Sequence, residues 1–118
     1  MFKHILVPVD GSPTAQLAVD KAIGMAKAFG GHVTAIFVVD PYPFTGVGTD
    51  FEAGVQVDTS VIESNTAWRG VVEAAESFKA DLIVMGSHGR SGLKKLVLGS
   101  VAQAVLSHTH LPVLVVRD

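Results

Sequence analysis

The sequence predicts an α/β fold in which buried parallel strands alternate with helices. Short, largely apolar runs at residues 5–9, 33–39, 81–85 and 113–116 are rich in β-branched side chains, which is typical of strands covered on both faces. Segments with apolar residues at helical spacing precede or follow these runs, and Gly or Pro stands near several of the junctions. Strands and helices that alternate in this way form a parallel sheet with crossover helices.

The first strand leads directly into a helix. Ser12 fits the N-cap position and Pro13 the first helical position, where a missing N–H group costs nothing. Apolar residues then recur at helical spacing from Ala15 to Phe29. Two consecutive glycines at residues 30–31 predict the end of this helix, and residues 33–39 predict the second strand.

The second half of the chain contains two further predicted helices. One covers residues 66–79, with Trp68 and Val71 on its apolar face, and leads into the strand at residues 81–85. The other opens at Ser100, which has capping-box spacing to Gln103, and runs toward His108 before the last strand. A weaker strand is predicted over residues 55–61.

Composition limits the classes of function. The chain has 118 residues, 48% hydrophobic and 17% charged, with no cysteine and a net charge of −2. One domain over residues 1–118 is expected, without thiol catalysis or a cysteine metal site, and the charge does not favour nucleic-acid binding. The apolar run at residues 5–9 is too short for a signal peptide or membrane span. We therefore expect a cytoplasmic location and no membrane insertion.

Residues 85–101 carry the clearest sign of a binding site. They connect a buried strand to a helix start, and Gly86, Gly89 and Gly99 would let backbone N–H groups approach an anion. Ser100 adds a hydroxyl donor. The spacing matches neither GxxxxGK[ST] nor GxGxxG. If the first and fourth strands are neighbours, Asp10 faces this loop across a crevice, where it can bind a ribose hydroxyl or Mg²⁺.

The spacing Gly86-x2-Gly89-x9-Gly99-Ser100 resembles that of the ATP-binding branch of the universal stress protein family. Residues 3–12, 81–90 and 111–116 are similar to that family's opening, centre and closing strand. The resemblance implies an open, doubly wound, parallel five-stranded sheet of order 3-2-1-4-5 with helices on both faces. It also implies ATP or another adenine nucleotide as ligand, and a homodimer built through Val113–Val116.

The resemblance further implies a set of nucleotide-binding residues. Asp10 would lie near the ribose or a Mg²⁺ ion, and Val38 would line the adenine pocket. The complete set is Pro8, Val9, Asp10, Val38, Met85, Gly86, Gly89, Arg90, Gly99, Ser100 and Val101. Met85 and Gly86 belong beside the ribose, and those from Gly89 onward belong around the phosphates.

One connection departs from the family pattern. Residues 40–54 contain two prolines and three glycines and show no helical spacing, although a parallel crossover usually contains a helix. Either this is a shortened variant without the family's second helix, or residues near positions 49–52 are missing from the sequence. Without that helix the sheet would be bare over strands 2 and 3, unless Tyr42, Phe44, Phe51 or a dimer partner covers it.

Three functions remain open from the sequence. The first is a regulatory ATP-binding protein of the stress response with at most slow hydrolysis, because no residue is an obvious base and nothing beyond Arg90 and a Mg²⁺ ion would stabilise transition-state charge. The second is an ATPase or phosphotransferase that uses Asp10 and Mg²⁺. The third is a protein-interaction or chaperone-like module that needs no nucleotide. The histidines at 108 and 110 are interpreted as helix-end residues rather than metal ligands.

Overall fold

A computed structural model describes residues 2–9, 13–39, 48–52, 55–64, 66–87 and 99–117. Strands and helices alternate along these ranges. In chain order they are β1 (His4–Val9), α1 (Pro13–Phe29), β2 (His32–Val39), β3 (Gly48–Glu52), β4 (Val55–Glu63), α2 (Ala67–Ser77), β5 (Leu82–Gly86), α3 (Ser100–His108) and β6 (Val113–Val116). Within these ranges no helix has both the length and the apolar character that crossing a bilayer requires.

The strands form one sheet in the order β3-β4-β2-β1-β5-β6. The pairs β4–β2, β2–β1, β1–β5 and β5–β6 are all parallel. The five-stranded parallel order 3-2-1-4-5 is therefore confirmed, with β4, β2, β1, β5 and β6 in those places. Since β1 is central, the chain moves outward in one direction through β2 and in the other through β5.

The remaining strand, β3, is an addition that the sequence did not predict. It pairs antiparallel with β4, with Gly48 opposite Thr59 and Glu52 opposite Val55. Because β2 and β4 are parallel, the chain must return to the amino-terminal end of the sheet between them. In the described part of this connection, β3 makes the return within the plane of the sheet. Residues 48–52, the described part of this connection, form a strand, and the absence of the second crossover helix stays a prediction.

Helices cover both faces of the sheet, as predicted. Successive side chains of a strand point to opposite faces, and two separate clusters result. The α1 side contains Ile5, Val7, Val33, Val57, Leu82 and Val84 together with Ala18, Ala22 and Ala26 of the helix. The other side contains Leu6, Ile36, Ile83 and Met85 together with Val71, Ala74 and Ala75 of α2 and Ala102 and Val105 of α3.

The observed ends of α1 and α3 can be compared with the predicted caps. Pro13 is the first residue of α1 as expected, and Gly30 follows its end with φ 71°, a conformation that glycine adopts readily. The capping box at Ser100 was wrong. Gly99 is the N-cap of α3, with φ −67° and ψ 161° and no side-chain cap. The N–H group of Gly99 donates to the Ser87 carbonyl at 2.6 Å, which fixes the helix start one residue earlier than predicted.

Candidate functional site

The candidate site lies where the winding of the chain reverses. β1 and β5 are parallel neighbours, with Ile5 beside Leu82 and Leu6 beside Ile83. The chain leaves β1 for α1 on one face and leaves β5 toward α3 on the other. A crevice therefore opens beyond the carboxyl ends of these two strands, and ligands of open α/β sheets bind at such a position.

At this edge Gly86 packs against the first turn of α1. A Cβ atom built on Gly86 would lie 2.7 Å from Cγ2 and 3.3 Å from Cβ of Thr14. Thr14 is itself buried. Glycine at 86 therefore has a packing role, because it allows the start of α1 to lie against the end of β5. This role is separate from the predicted place of Gly86 beside a ribose, which stays a prediction.

Ser87 connects the end of β5 to two other elements. Its N–H group donates to the Val116 carbonyl of β6 at 2.9 Å, and its carbonyl accepts from the N–H group of Gly99 at 2.6 Å. The two ends of the glycine-rich segment are thereby held together beside β6. Sequence reasoning did not place Ser87 or Thr14 in the site. Ser87 follows a buried strand directly, but its backbone bonds become evident only when the strands are paired.

The start of α3 presents backbone donors at the same edge. The first bond inside the helix runs from the N–H group of Gln103 to the Gly99 carbonyl at 3.0 Å. The N–H groups of Ser100, Val101 and Ala102 precede this bond, and such groups at a helix start have no intrahelical acceptor. Ser100 and Val101 are exposed. Together with the positive end of the helix dipole, this arrangement suits a phosphate or another anion.

The structure gathers most of the described site residues at one edge. Pro8 and Val9 end β1, Met85 and Gly86 end β5, and Gly99, Ser100 and Val101 begin α3. Val38 lies near the carboxyl end of β2, beside Ile62 of β4. The Met85 side chain is buried in the cluster under α2 and α3. Asp10, Gly89 and Arg90 lie outside the described residues, so their predicted roles are untested.

The histidine near the end of α3 takes part in helix packing. Its ring stacks on the indole of Trp68 with a centroid distance of 3.9 Å, and Nδ1 of His108 donates to the Ala104 carbonyl at 2.7 Å. In the described ranges, no three His, Asp or Glu side chains come together as a metal site. The predicted Mg²⁺ ligand, Asp10, lies outside those ranges.

Sequence comparisons identify the family. A sequence model of the universal stress protein family matches residues 1–58 and 49–117. A universal stress protein of Methanocaldococcus jannaschii is 38% identical over 142 residues, which cover 99% of this chain and 83% of the relative. One from Mycobacterium bovis is 33% identical over 135 residues, and the match covers 97% of this chain but 45% of that longer protein.

Solved structures share the fold. Universal stress protein UspA from Lactobacillus plantarum has a TM-score of 0.80 at 22% identity, with 98% of each chain covered. A universal stress protein in complex with cAMP has a TM-score of 0.75 at 23% identity, with 98% of this chain and 97% of that one covered. The universal stress protein from Archaeoglobus fulgidus in complex with dAMP has a TM-score of 0.73 at 16% identity, with 99% and 98% covered.

The comparisons also locate the difference in length. The alignment with the Methanocaldococcus jannaschii relative runs over 142 residues, although this chain has 118. The match to the family model is divided into two parts that meet around residues 49–58, where β3 and β4 form a hairpin. The shortened connection therefore lies between β2 and β4. Since the family model matches both halves of the chain and the fold is shared, the chain belongs to the universal stress protein family.

Proposed function

We propose that this protein binds an adenine nucleotide, with ATP as its ligand, and acts as a regulatory protein of the stress response. The observation that carries the proposal is the convergence of the ends of β1 and β5 with the start of α3 at one edge of the sheet. Universal stress proteins of the same fold have been described with cAMP and with dAMP, which supports an adenine nucleotide as the ligand class.

Different residues would bind different parts of the nucleotide. The backbone N–H groups at the start of α3 and the Ser100 hydroxyl would hold the phosphates, together with Gly89 and Arg90 of the glycine-rich segment. Pro8, Val9 and Val38 would lie along the base and ribose. Asp10 would accept hydrogen bonds from the ribose or hold Mg²⁺, which would neutralise phosphate charge when bound.

Binding, rather than rapid turnover, is the activity we propose. Ser100 brings an exposed hydroxyl group to this edge, and a hydroxyl group at neutral pH does not act as a strong base toward water. Fast phosphoryl transfer also needs cationic groups placed on the transition-state charge. Arg90 is the predicted candidate for that role. We therefore expect hydrolysis to be slow at most.

A thermal-shift titration with ATP tests the proposal. Ligand at 100 times its dissociation constant should stabilise the protein by about 2.7 kcal/mol. Gly99→Val should abolish the shift because its side chain would obstruct the start of α3. Val tolerates the backbone angles of Gly99, φ −67° and ψ 161°, so this variant should fold. Gly24→Ala, in α1 with nothing within 4 Å of the added methyl, is the matched control and should keep the shift.

Phosphate release measured on the same samples separates binding from catalysis. Rapid release that Asp10→Ala abolishes would replace the proposal by an ATPase or phosphotransferase. Absence of a shift with ATP, AMP and cAMP would contradict nucleotide binding and favour an interaction module. A shift with negligible release is the result we expect.

We also propose that two copies associate through β6. This strand ends the order of the described sheet and pairs with β5 on one side. Its side chains are apolar, and Leu114 is 40% exposed. An apolar edge strand of this kind readily pairs with another strand.

A further inference from the structure

A pair of stacked histidines lies at the amino-terminal end of the sheet, opposite the candidate nucleotide site. His4 opens β1 and His32 opens β2, and the two residues are partners in the parallel register. Their rings are stacked, with centroids 4.1 Å apart and an interplanar angle of 27°. Both residues are partly buried. Two titratable rings are therefore held face to face by the pairing of the strands themselves.

Polar contacts around His4 connect several elements. Nε2 of His4 lies 2.8 Å from Oγ1 of Thr34 on β2. The Asp81 carboxylate, just before β5, accepts the backbone N–H groups of His4 at 3.1 Å and Lys3 at 2.8 Å. The Asp81 N–H group in turn donates to the His4 carbonyl at 2.9 Å. These contacts tie the starts of β1, β2 and β5 together around the stacked rings.

The surroundings of His4, burial above all, favour its neutral form. Burial lowers the pKa of His4 below its ordinary value of 6.5, and the neighbouring His32 lowers it further. The Phe78 carbonyl at the end of α2 and the carboxylates of Asp81 and Asp58 act in the opposite direction, but the net direction is downward. When neutral, one ring nitrogen of His4 can accept from the Thr34 hydroxyl while the other donates to the Phe78 carbonyl.

We propose that the His4–His32 stack is an acid-sensitive contact that loosens the amino-terminal end of the sheet when both rings become charged. Two positive rings 4.1 Å apart repel each other, and partial burial makes the repulsion greater than it would be in bulk water. The contact that would weaken is the stack itself, because the Thr34 hydroxyl can accept from a charged ring and the Phe78 carbonyl can still accept from the other ring nitrogen. The site at the opposite end of β1 takes no part in this step.

The sign of the pH dependence follows from proton uptake. The unfolded chain has an ordinary histidine at position 4, whereas the folded chain has one with a lowered pKa. As the pH falls below 6.5, the unfolded state takes up more protons than the folded state. The stabilising contribution is therefore full above this pH and is lost as the pH falls toward the pKa of folded His4.

Two measurements on the full chain test the proposal. Urea unfolding is compared between about pH 7.5 and about pH 5.5, the range in which histidines titrate, and NMR follows the ring protons of His4. His32→Phe keeps a flat ring against His4 but cannot be charged. It should reduce the loss of stability in acid and move the His4 titration to higher pH. His110→Gln, at an exposed position, is the matched control and should behave as the wild type.

The outcomes are distinct. An unchanged His4 titration in His32→Phe, or an acid loss of stability equal to that of the wild type, would overturn the proposal. If His32→Phe does not fold, His32→Gln replaces it, because glutamine also carries no charge and is smaller than phenylalanine. No nucleotide is present in these experiments, so their failure would leave the proposed nucleotide binding untouched.

Discussion

At Gly86 the end of a strand touches the start of a helix so closely that a methyl group does not fit. The added Cβ of Gly86→Ala would lie 2.7 Å from Cγ2 of the buried Thr14. We expect this variant to lose about 1–3 kcal/mol of stability, as overpacked sites do. Gly24→Ala is the control, since its methyl group meets nothing within 4 Å and should stabilise α1 by about 0.5–1 kcal/mol. Urea unfolding measures both.

A second substitution identifies the cause of that loss. Thr14→Ser removes Cγ2, so that the nearest remaining Thr14 side-chain carbon would be Cβ, at 3.3 Å from the new methyl group. In the Gly86→Ala background this change should recover part of the lost stability. Equal costs for Gly86→Ala with and without Thr14→Ser would show that the contact with α1 is not the reason for glycine at this position.

The helices α2 and α3 meet through the single tryptophan of the chain. Its ring stacks on His108 at 3.9 Å, and the Arg69 guanidinium lies 5.4 Å from its centroid. We expect His108→Ala to change Trp68 emission, because it removes the ring that stacks on the indole. The same variant should lose about 0.5–1.5 kcal/mol of stability, the usual contribution of an aromatic pair.

Emission spectra and urea unfolding check this expectation, with His110→Ala, at an exposed position, as the control that should match the wild type. An unchanged emission spectrum and unchanged stability in His108→Ala would contradict a contribution of the stack. Because Trp68 and His108 lie on α2 and α3, this measurement is independent of the His4–His32 stack between β1 and β2.

The elements differ in how far the sequence determines them. The strand β6 (Val113–Val116) and the start of α1 at Pro13 agree with their predictions because apolar runs and helix-start residues carry local signals. The strand β3 was missed, since Gly48–Glu52 is short and half polar and pairs with β4 only in the folded chain. The cap of α3 was misplaced because the bond that fixes it comes from Ser87, twelve residues away.

At the scale of the molecule, the order of strands and helices along the chain predicts the parallel sheet. The length of the chain, by contrast, depends on one connection. The sequence showed no helix between the second and third parallel strands, and the structure returns the chain there through β3 instead. The described residues of the predicted site lie at one edge because carboxyl ends of parallel strands share it, and their role in binding stays a prediction. Thr14 and Ser87 were not predicted, because their contacts join elements far apart in the chain.

Association through β6 leads to a prediction for the whole molecule. The carbonyls of Pro112 and Val116 accept from the N–H groups of Ile83 in β5 and of Ser87 directly after it. Even-numbered residues of β6 therefore direct their backbone groups toward β5. Backbone groups alternate along a strand, and the N–H group of Val115 therefore points to the open edge. Val115→Pro removes this donor without removing a bond to β5, and proline is tolerated in edge strands. We expect it to convert a dimer to a folded monomer.

Sedimentation velocity measures the change, and circular dichroism shows whether the fold is kept. Val115→Ala is the matched control, because it shortens the side chain but retains the N–H group, and it should remain dimeric. A dimer that survives Val115→Pro would show that the copies meet elsewhere, and a monomeric wild type would exclude the association altogether. If both the wild type and Val115→Ala are dimeric while Val115→Pro is not, the backbone edge of β6 must form the interface, since that N–H group is what separates the two variants.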